Sequence, residues 1–486
     1  MVYATFGSFG PLAALSYGMQ QSFAWSSGVF ACKYYMMNEL GLDGPTMGRL
    51  LTASFMPWNI KPIIGLMSDT LALCGYHRTS YLVMSCILAI LMYLWVGFAA
   101  VQVFGLMVFM TSISFAIAFS DVVIDGAGAS LARIHPAAAC DLQTLLRVSF
   151  SLGGMASSGI KGLLVKHLSP RGTLLSTVLC PIVVLIPTLR GWLPEDRRSG
   201  CCSLHLKGLS SNYNLTAGSF ILAVEAVALS LSQTFLEDWQ VRLATVLAFT
   251  VGILITTYIT LKKLSWYLWT TGILLFLRDF FQPGLGESMF VWLSTDINGP
   301  QLDPEIMGWA DCFGQAGLLL GVVLFNRYLR KWKFRNIFLL GQLLVLVAQL
   351  MDLVLVMRWN RAIGIPDVVF FLGDATFDQA IARTFWMPCA VLAYKVCPPL
   401  LEATLFATLM SLANLGIDTG KYMGVCLAEF WHLNENFEYL PHGVISKALF
   451  RLLPIPCILL LAPTFSPDDP VPGGDMAKDP QDKPAL

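Results

Sequence analysis

Residues 79–100 read TSYLVMSCILAILMYLWVGFAA, 22 residues without a single Asp, Glu, Lys or Arg. A helix needs ~20 apolar residues to cross the hydrocarbon layer of a bilayer. The run is continuously apolar, not alternating as a barrel strand would be, so it predicts a membrane-spanning helix. Working outward, comparable runs lie near 8–34, 47–72, 103–132, 142–166, 172–190, 216–236, 239–261, 264–295, 306–327, 334–357, 367–395, 400–430 and 443–463, which makes fourteen spans. Composition agrees. The chain has 486 residues, 56% of them apolar and only 13% charged, with a mean hydropathy of +0.65. Soluble domains carry ~25% charged residues, so this chain has about half the polar cover a water-facing surface needs. A soluble chain of this length would divide into about three domains, yet no linkers are visible. These facts exclude a soluble enzyme, a nucleic-acid binder and a disordered protein. With 31 basic and 31 acidic residues there is no global field to attract polyanions. The expected fold class is an all-α integral membrane protein.

The ends and loops set the orientation. The start, MVYATFGSFG, lacks the basic segment of a cleavable signal peptide. The tail from Ser466 is rich in Pro and Asp and is expected to be disordered. With both termini placed in the cytoplasm, the inner loops hold fourteen Lys and Arg, Arg78, Arg133 and the 327–335 cluster among them, against four in the outer loops. That is the bias expected of a cytoplasmic face, although Lys166 runs against it. The outer loops instead carry acids such as Glu39, Asp43, Asp303 and Glu305. The sequon at Asn214 falls on the inner side and would be unused. Twelve cysteines are scattered without a CxxC pair or a Cys/His cluster, so no metal site is expected. Cys201-Cys202, beside a span, is a candidate for acylation.

The chain echoes itself. Counted without the pair at 216–261, span four carries Asp121-Val-Val-Ile-Asp125 and span ten Asp374-Ala-Thr-Phe-Asp378. In both, i,i+4 spacing puts two carboxylates on one helix face. Span five reads Ser151-Leu152 with Lys161 ten residues on, and span eleven reads Ser411-Leu412 with Lys421 ten residues on. Spans two and eight each end in a glycine, Gly65 and Gly321, before a basic loop. Three echoes in the same order suggest two halves of six spans related by an axis along the membrane normal, a common transporter plan. The divisions expected are an N-terminal bundle at 1–190, a cytoplasmic loop at 191–215, an inserted helix pair at 216–262, a C-terminal bundle at 263–465 and a tail at 466–486.

Charge at mid-membrane costs ~2.5–3.5 kcal/mol on insertion scales. Lys61, Asp121, Asp125, Lys161, Asp279, Glu287, Asp311, Asp374, Asp378, Arg383, Asp418 and Lys421 all fall inside spans. As a set they point to a shared polar cavity for a charged solute, while any one of them alone is equally explained by pairing between helices. Asp121 and Asp125 repel when both are ionised, and a carboxylate that keeps a proton beside another is what a proton carrier needs. Lys61 lies in Pro57-Trp58-Asn59-Ile60-Lys61-Pro62, where two prolines remove helix hydrogen bonds. Gln282-Pro283-Gly284 breaks span seven in the same way, just before Glu287. Broken helices at this depth line substrate sites in many transporters, though prolines also kink helices for packing alone. Tryptophans such as Trp58, Trp266, Trp269, Trp292 and Trp309 serve either as interfacial anchors or as stacking surfaces.

Three stretches are specific enough to resemble a known family. Pro57-Trp58-x-Ile60-Lys61-Pro62-x-x-Gly65-x-x-Ser68-Asp69, followed by Gly75-Tyr76-His77-Arg78, resembles the span-two signature of the folate–biopterin transporter family, a branch of the major facilitator superfamily. Asp121-Val122-x-x-Asp125 with Ala132-Arg133 is similar to its span-four pattern. Cys397-Pro398-Pro399-x-x-Glu402-x-Thr404-x-Phe406-Ala407-x-x-Met410-Ser411-x-x-Asn414-x-Gly416 is similar to its span-eleven pattern. The chain departs from the pattern at Ser130, where the family often has Glu, and at His77, where a second basic residue is common.

The resemblance implies a major-facilitator-type 6+6 bundle with the extra helix pair between the halves. It implies import of folate, biopterin or related pteridines by alternating access, driven by protons. Asp121 and Asp125 would carry the proton. Lys61, Lys161 and Lys421 would meet the glutamate carboxylates of a folate, and Trp58, Asp279, Glu287, Asp374 and Asp378 would complete the substrate cavity. Asp69, Arg78 and Arg133 would hold a cytoplasmic gate. The expected partners are a small-molecule solute, protons and the lipid bilayer, with no nucleic acid and no cofactor. The expected form is a monomeric multi-pass protein of the plasma membrane. Competing readings are the same fold with another solute (S-adenosylmethionine, a nucleoside or an amino acid) and a non-transporting membrane sensor. No HExxH or GxSxG motif occurs and the six histidines sit apart, so no catalytic residues are expected.

Overall fold

The computed structural model describes residues 6–134, 139–195, 202–204, 213–396, 402–433, 436–467 and 469. The tail beyond 469, Cys201 and most of the central loop lie outside these residues, as do the side chains of Asp69, Arg133, Arg383 and Asn214. The described chain is almost entirely helical.

Grouped by the loops between them, the helices make fourteen passes. α1 covers 9–39 and α2 covers 44–70. α3 is Thr79–Phe98 and α4 is Val103–Ile134. The next helix, Ala139–Ser176, turns back on itself at Ser169, whose φ of 67° is non-helical and precedes Pro170. This gives α5, 139–168, and α6, 170–189. α7 is Tyr213–Phe235 and α8 is Trp239–Leu261. α9 covers 266–295, α10 covers 304–329 and α11 is Phe334–Val356. α12 is Asp367–Val396, α13 is Glu402–Phe430 and α14 covers 440–461. Eight described stretches are long and apolar enough to span on those grounds alone. Several of the others are broken or charged.

The breaks fall where residue chemistry puts them. In α2 the helix stops at Ser54, passes through a 3-10 turn at Met56–Trp58, and restarts at Lys61 with Pro62 in its first turn. Proline lacks the amide that would continue the ladder, and its ring crowds the preceding carbonyl. α9 breaks between Phe280 and Gly286, around Gln282-Pro283-Gly284. α1 widens into π-helix at Ser16–Ala24 and again at Tyr35–Glu39, a local unwinding common at functional sites.

Close packing fixes the helix order. α1 crosses α5 at Gly18 and Gly153, where a Cβ on Gly153 would sit 2.0 Å from the Gly18 carbonyl oxygen. α5 also packs on α10, and α2 on α13. Helices five and ten, helices two and thirteen, and helices two and nine thus hold the early and late helices together. The inserted pair, α7 and α8, packs against itself and lies on α2 and α13. Arg242 on α8 pairs with Glu429 on α13.

The apolar core is arranged in the same sense. One buried cluster joins Phe30, Met36, Leu50, Tyr93 and Phe109 to Phe290, Trp292, Met307 and Leu433. It therefore spans early and late helices at the end where the acidic loops lie. Toward the basic loops the clusters separate: one contains only residues 6–193, with Phe9, Ile64 and Val123. Another contains only residues 215–465, with Phe276, Phe338 and Leu409. Among the described residues the apolar core is thus shared by early and late helices at the acidic end and divided between them toward the basic end.

A short two-stranded sheet, Leu71–Leu73 with Cys202–Leu204, ties the central loop to the turn after α2. The Glu195 carboxylate accepts the backbone N–H groups of His77 (2.5 Å), Arg78 (3.1 Å) and Thr79 (2.9 Å). It caps the N-terminus of α3, where unpaired amides favour a negative charge.

Candidate functional site

A cavity of about 140 Å³ lies where early and late helices meet. Trp25, Gly28 and Lys33 of α1, Thr52 and Phe55 of α2, Tyr93 of α3 and Ile113 of α4 form one wall. Glu287 of α9 and Lys421 of α13 form the other. The two breaks serve this site. The end of α2's first segment supplies Ser54 and Phe55. The restart of α9 at Gly286 places Glu287 in the first turn, where exposed amides suit a carboxylate.

Each charge of the cavity has a partner of opposite sign. Lys33 Nζ lies 3.3 Å from Glu287 Oε1. Lys421 Nζ lies 3.4 Å from Asp418 Oδ1 and 4.7 Å from the centre of the Phe55 ring. The other Asp418 oxygen accepts a 2.7 Å hydrogen bond from Asn59 Nδ2 on α2. Two polar links therefore cross between early and late helices, Asn59–Asp418 from α2 to α13 and Lys33–Glu287 from α1 to α9. Both lysines also face aromatic rings, a geometry that stabilises a cation away from bulk water.

Aromatic rings continue from the cavity toward the basic end. Trp25 meets Phe55 edge-on at 5.0 Å, and Phe55 stacks toward Trp58 at 6.0 Å. Lys61 Nζ sits 3.8 Å from the Trp58 ring and 2.5 Å from Asp121 Oδ2. One turn on, Asp125 accepts a hydrogen bond from the Tyr17 hydroxyl in the π-helical part of α1. Asp125 is exposed although it lies within α4. The buried Trp58 Nε1 has no hydrogen-bond partner among the described residues. It is a donor left open beside this path.

The expected site residues thus fall into three places. Glu287 and Lys421 line the cavity. Trp58, Lys61, Asp121 and Asp125 form the adjoining path. Lys161, Asp279, Asp374 and Asp378 lie elsewhere. Lys161 is buried at the α5–α10 crossing, where it pairs with Asp311 and contacts Ser26 Oγ at 3.0 Å. Asp279 is paired with its neighbour Arg278, which also reaches Cys389 and the Phe385 carbonyl of α12. Asp374 and Asp378 face α11 and α14 in a separate polar cluster. Of the gate residues, Arg78 lies against Gly126 of α4, whose Cβ would sit 3.6 Å from Arg78 Nε. The side chains of Asp69 and Arg133 lie outside the described residues.

Two cavity residues, Lys33 and Trp25, were not singled out from sequence. Lys33 is the one charge in the run 8–34, and that isolation was the available signal. Lys166, which runs against the charge bias, is explained by the structure. It reaches Glu305 at 2.9 Å and Asp303 at 3.6 Å, so it belongs to the acidic end as the partner of two acids.

Comparison with known proteins agrees with this architecture. The sequence profile of the BT1 family matches residues 19–470. A protein of Arabidopsis thaliana named probable folate-biopterin transporter 2 is 28% identical over 476 residues, covering 96% of this chain and 86% of its own. A Synechocystis protein named folate-biopterin transporter is 29% identical over 437 residues, covering 89% and 77%. Among solved structures, a POT family transporter bound to a thioalcohol-conjugated peptide is similar with a TM-score of 0.67 at 15% identity, covering 93% of this chain and 94% of that one. A D-xylose–proton symporter is similar with a TM-score of 0.62 at 13% identity, covering 96% and 100%. At that identity the likeness shows the fold: a major-facilitator-type bundle of membrane helices.

Proposed function

Because the chain belongs to the BT1 family of folate–biopterin transporters, we propose that it imports folate, biopterin or a related pteridine by alternating access coupled to protons. The observation that carries this reading is the cavity at the seam, where two ammonium groups, one carboxylate and two aromatic rings converge. A pterin ring is flat and presents donors and acceptors along one edge. Trp25 and Phe55 offer stacking faces, and Glu287 offers an acceptor for its amino group. A folate adds a glutamate tail with two carboxylates, which Lys33 and Lys421 would pair with once they release Glu287 and Asp418. Charge-assisted bonds of this kind are the stronger class.

In this reading, residues 1–190 and 263–465 rock as two six-helix halves about the cavity. The described conformation is sealed at the acidic end by Lys33–Glu287, Lys166–Glu305 and the α5–α10 crossing. With the acidic loops outside and both termini in the cytoplasm, it faces inward. Asp121 and Asp125 lie on the watered side and carry the proton, while Lys61 answers the charge of Asp121. Residence in the plasma membrane and a monomeric state complete the proposal.

Tryptophan fluorescence of the purified protein tests the solute class. Biopterin and folate are expected to quench saturably, with the effect weakened in Trp25→Leu. Adenosine and S-adenosylmethionine are expected not to compete. Equal competition by adenosine would replace the pteridine with a nucleoside on the same fold.

A further inference from the structure

Away from the cavity, a groove of about 740 Å³ runs between α10 and α11, with α12 as its floor. Phe313, Leu320 and Tyr328 of α10 and Val369 of α12 stand exposed along it. Glycines shape it. α10 lies on α12 through Gly317 and Gly321, where a Cβ would run into the carbonyl oxygens of Thr376 and Ala380. α11 lies on α12 through Gly341, where a Cβ would run into the Phe385 ring. Among the described residues α10 and α11 scarcely touch each other, so the space between them stays open. On the floor, a Cβ at Gly373 would meet nothing within 4 Å. From Phe313 to Tyr328 the groove runs about 22 Å at 1.5 Å per residue, longer than the ~15 Å that one leaflet contributes to the hydrocarbon layer.

One end of the groove is charged. There α10 widens into a π-helix at Phe325–Leu329, and Tyr328 and Leu329 of this turn line the groove. The Arg327 guanidinium lies 5.8 Å from the centre of the Tyr328 ring. Arg327, Arg330, Lys331 and Lys333 are all exposed, while Arg335 donates to the Ala462 carbonyl. Residues 312–351 hold these five Lys and Arg and no Asp or Glu. Tyr328 and Trp332 are exposed beside them, as aromatic side chains are at headgroup depth.

The lining decides between occupants. Apart from the Tyr328 hydroxyl at the mouth, its polar side chains are Thr376 and Thr384. Their hydroxyls donate to the Leu372 and Ala380 carbonyls of their own helix at 2.8 and 2.7 Å. A polar solute therefore finds no partner along the groove. A second copy meeting this face about a two-fold axis would bring two basic clusters together, and like charges oppose such an interface. An acyl chain with an anionic head suits both parts: hydrocarbon against the lining, phosphate among the basic side chains. We propose that the α10–α11–α12 groove binds an anionic phospholipid, one chain lying over Gly373 and the phosphate held by Arg327 and Lys331. The site is separate from the cavity and does not depend on the solute carried.

Native mass spectrometry of the full-length protein, released from micelles with equal amounts of phosphatidylglycerol and phosphatidylcholine, reads the bound lipid. Preferential retention of one phosphatidylglycerol is expected. Replacing both bases, Arg327→Gln with Lys331→Gln, should weaken that preference about 10–30-fold. Gly373→Leu and Leu320→Trp each fill the groove and should expel the lipid, whereas Gly373→Ala leaves room and should keep it. Equal retention of the two lipids by the unsubstituted protein would overturn the site. So would a preference that survives loss of both bases, or one that survives both groove-filling substitutions. A two-chain mass that falls to one chain in Gly373→Leu would give this face to a second copy instead.

Discussion

Lys61 and Asp121 meet at 2.5 Å beside the Trp58 ring, and Asp125 one turn away is held by the Tyr17 hydroxyl. Each carboxylate has a different kind of partner, so each should fail differently. Asp121→Asn and Asp125→Asn are expected to abolish uptake driven by a pH gradient while the protein still reaches the membrane. Tyr17→Phe should shift the pH profile and keep uptake. Unchanged pH dependence in both Asn variants would remove these residues from proton coupling. In the cavity, a bond to a charged group contributes ~1.5–3 kcal/mol, or about 10–100-fold in affinity. Lys421→Ala and Lys33→Ala should therefore raise the KM for folate by that factor and leave biopterin, which lacks the glutamate tail, nearly unaffected. Equal losses for both solutes would make these lysines structural. Legibility at this scale was uneven. Glu287 and Lys421 could be read because charge inside an apolar run is conspicuous. Asp374 and Asp378 were equally conspicuous, but which helix they face is set by the packing of α12 on α10 and α11, which no local pattern announces.

At the scale of helices, the apolar runs and their proline breaks were readable because both arise from local chemistry: hydrocarbon length for the spans, a missing amide for the breaks. The spans at 47–72 and 264–295 break where Pro57, Pro62 and Pro283 lie. The π-helical stretches of α1 were not readable. The first, Ser16–Ala24, holds the close crossing of Gly18 with Gly153, a contact between helices far apart in sequence. The α5–α10 crossing is similar, since a Cβ on Gly162 would sit 2.3 Å from the Pro304 carbonyl oxygen. Overpacking of this kind costs ~1–3 kcal/mol. Gly162→Val should therefore disfavour the sealed acidic end by about 5–100-fold and slow uptake while preserving insertion. Labelling of a cysteine placed at Ser288, which packs on Gly44 across the seal, should become faster from the acidic side. An unchanged labelling rate would show that this crossing does not set the seal.

For the whole molecule, the decisive feature is the asymmetry of its core: one cluster shared by early and late helices at the acidic end, two separate clusters toward the basic end. That asymmetry, together with an exposed Asp125 and the two polar links across the seam, supports the inward-facing carrier proposed above. The inserted pair α7–α8 lies on both α2 and α13 and is bound to the latter by Arg242–Glu429, so it should move with the late helices. The most direct test is uptake of radiolabelled folate and biopterin by auxotrophic cells expressing the chain, at two external pH values. The account predicts saturable uptake of both, faster at the lower external pH. Uptake no greater than in cells lacking the chain, with the protein present in the plasma membrane, would contradict it.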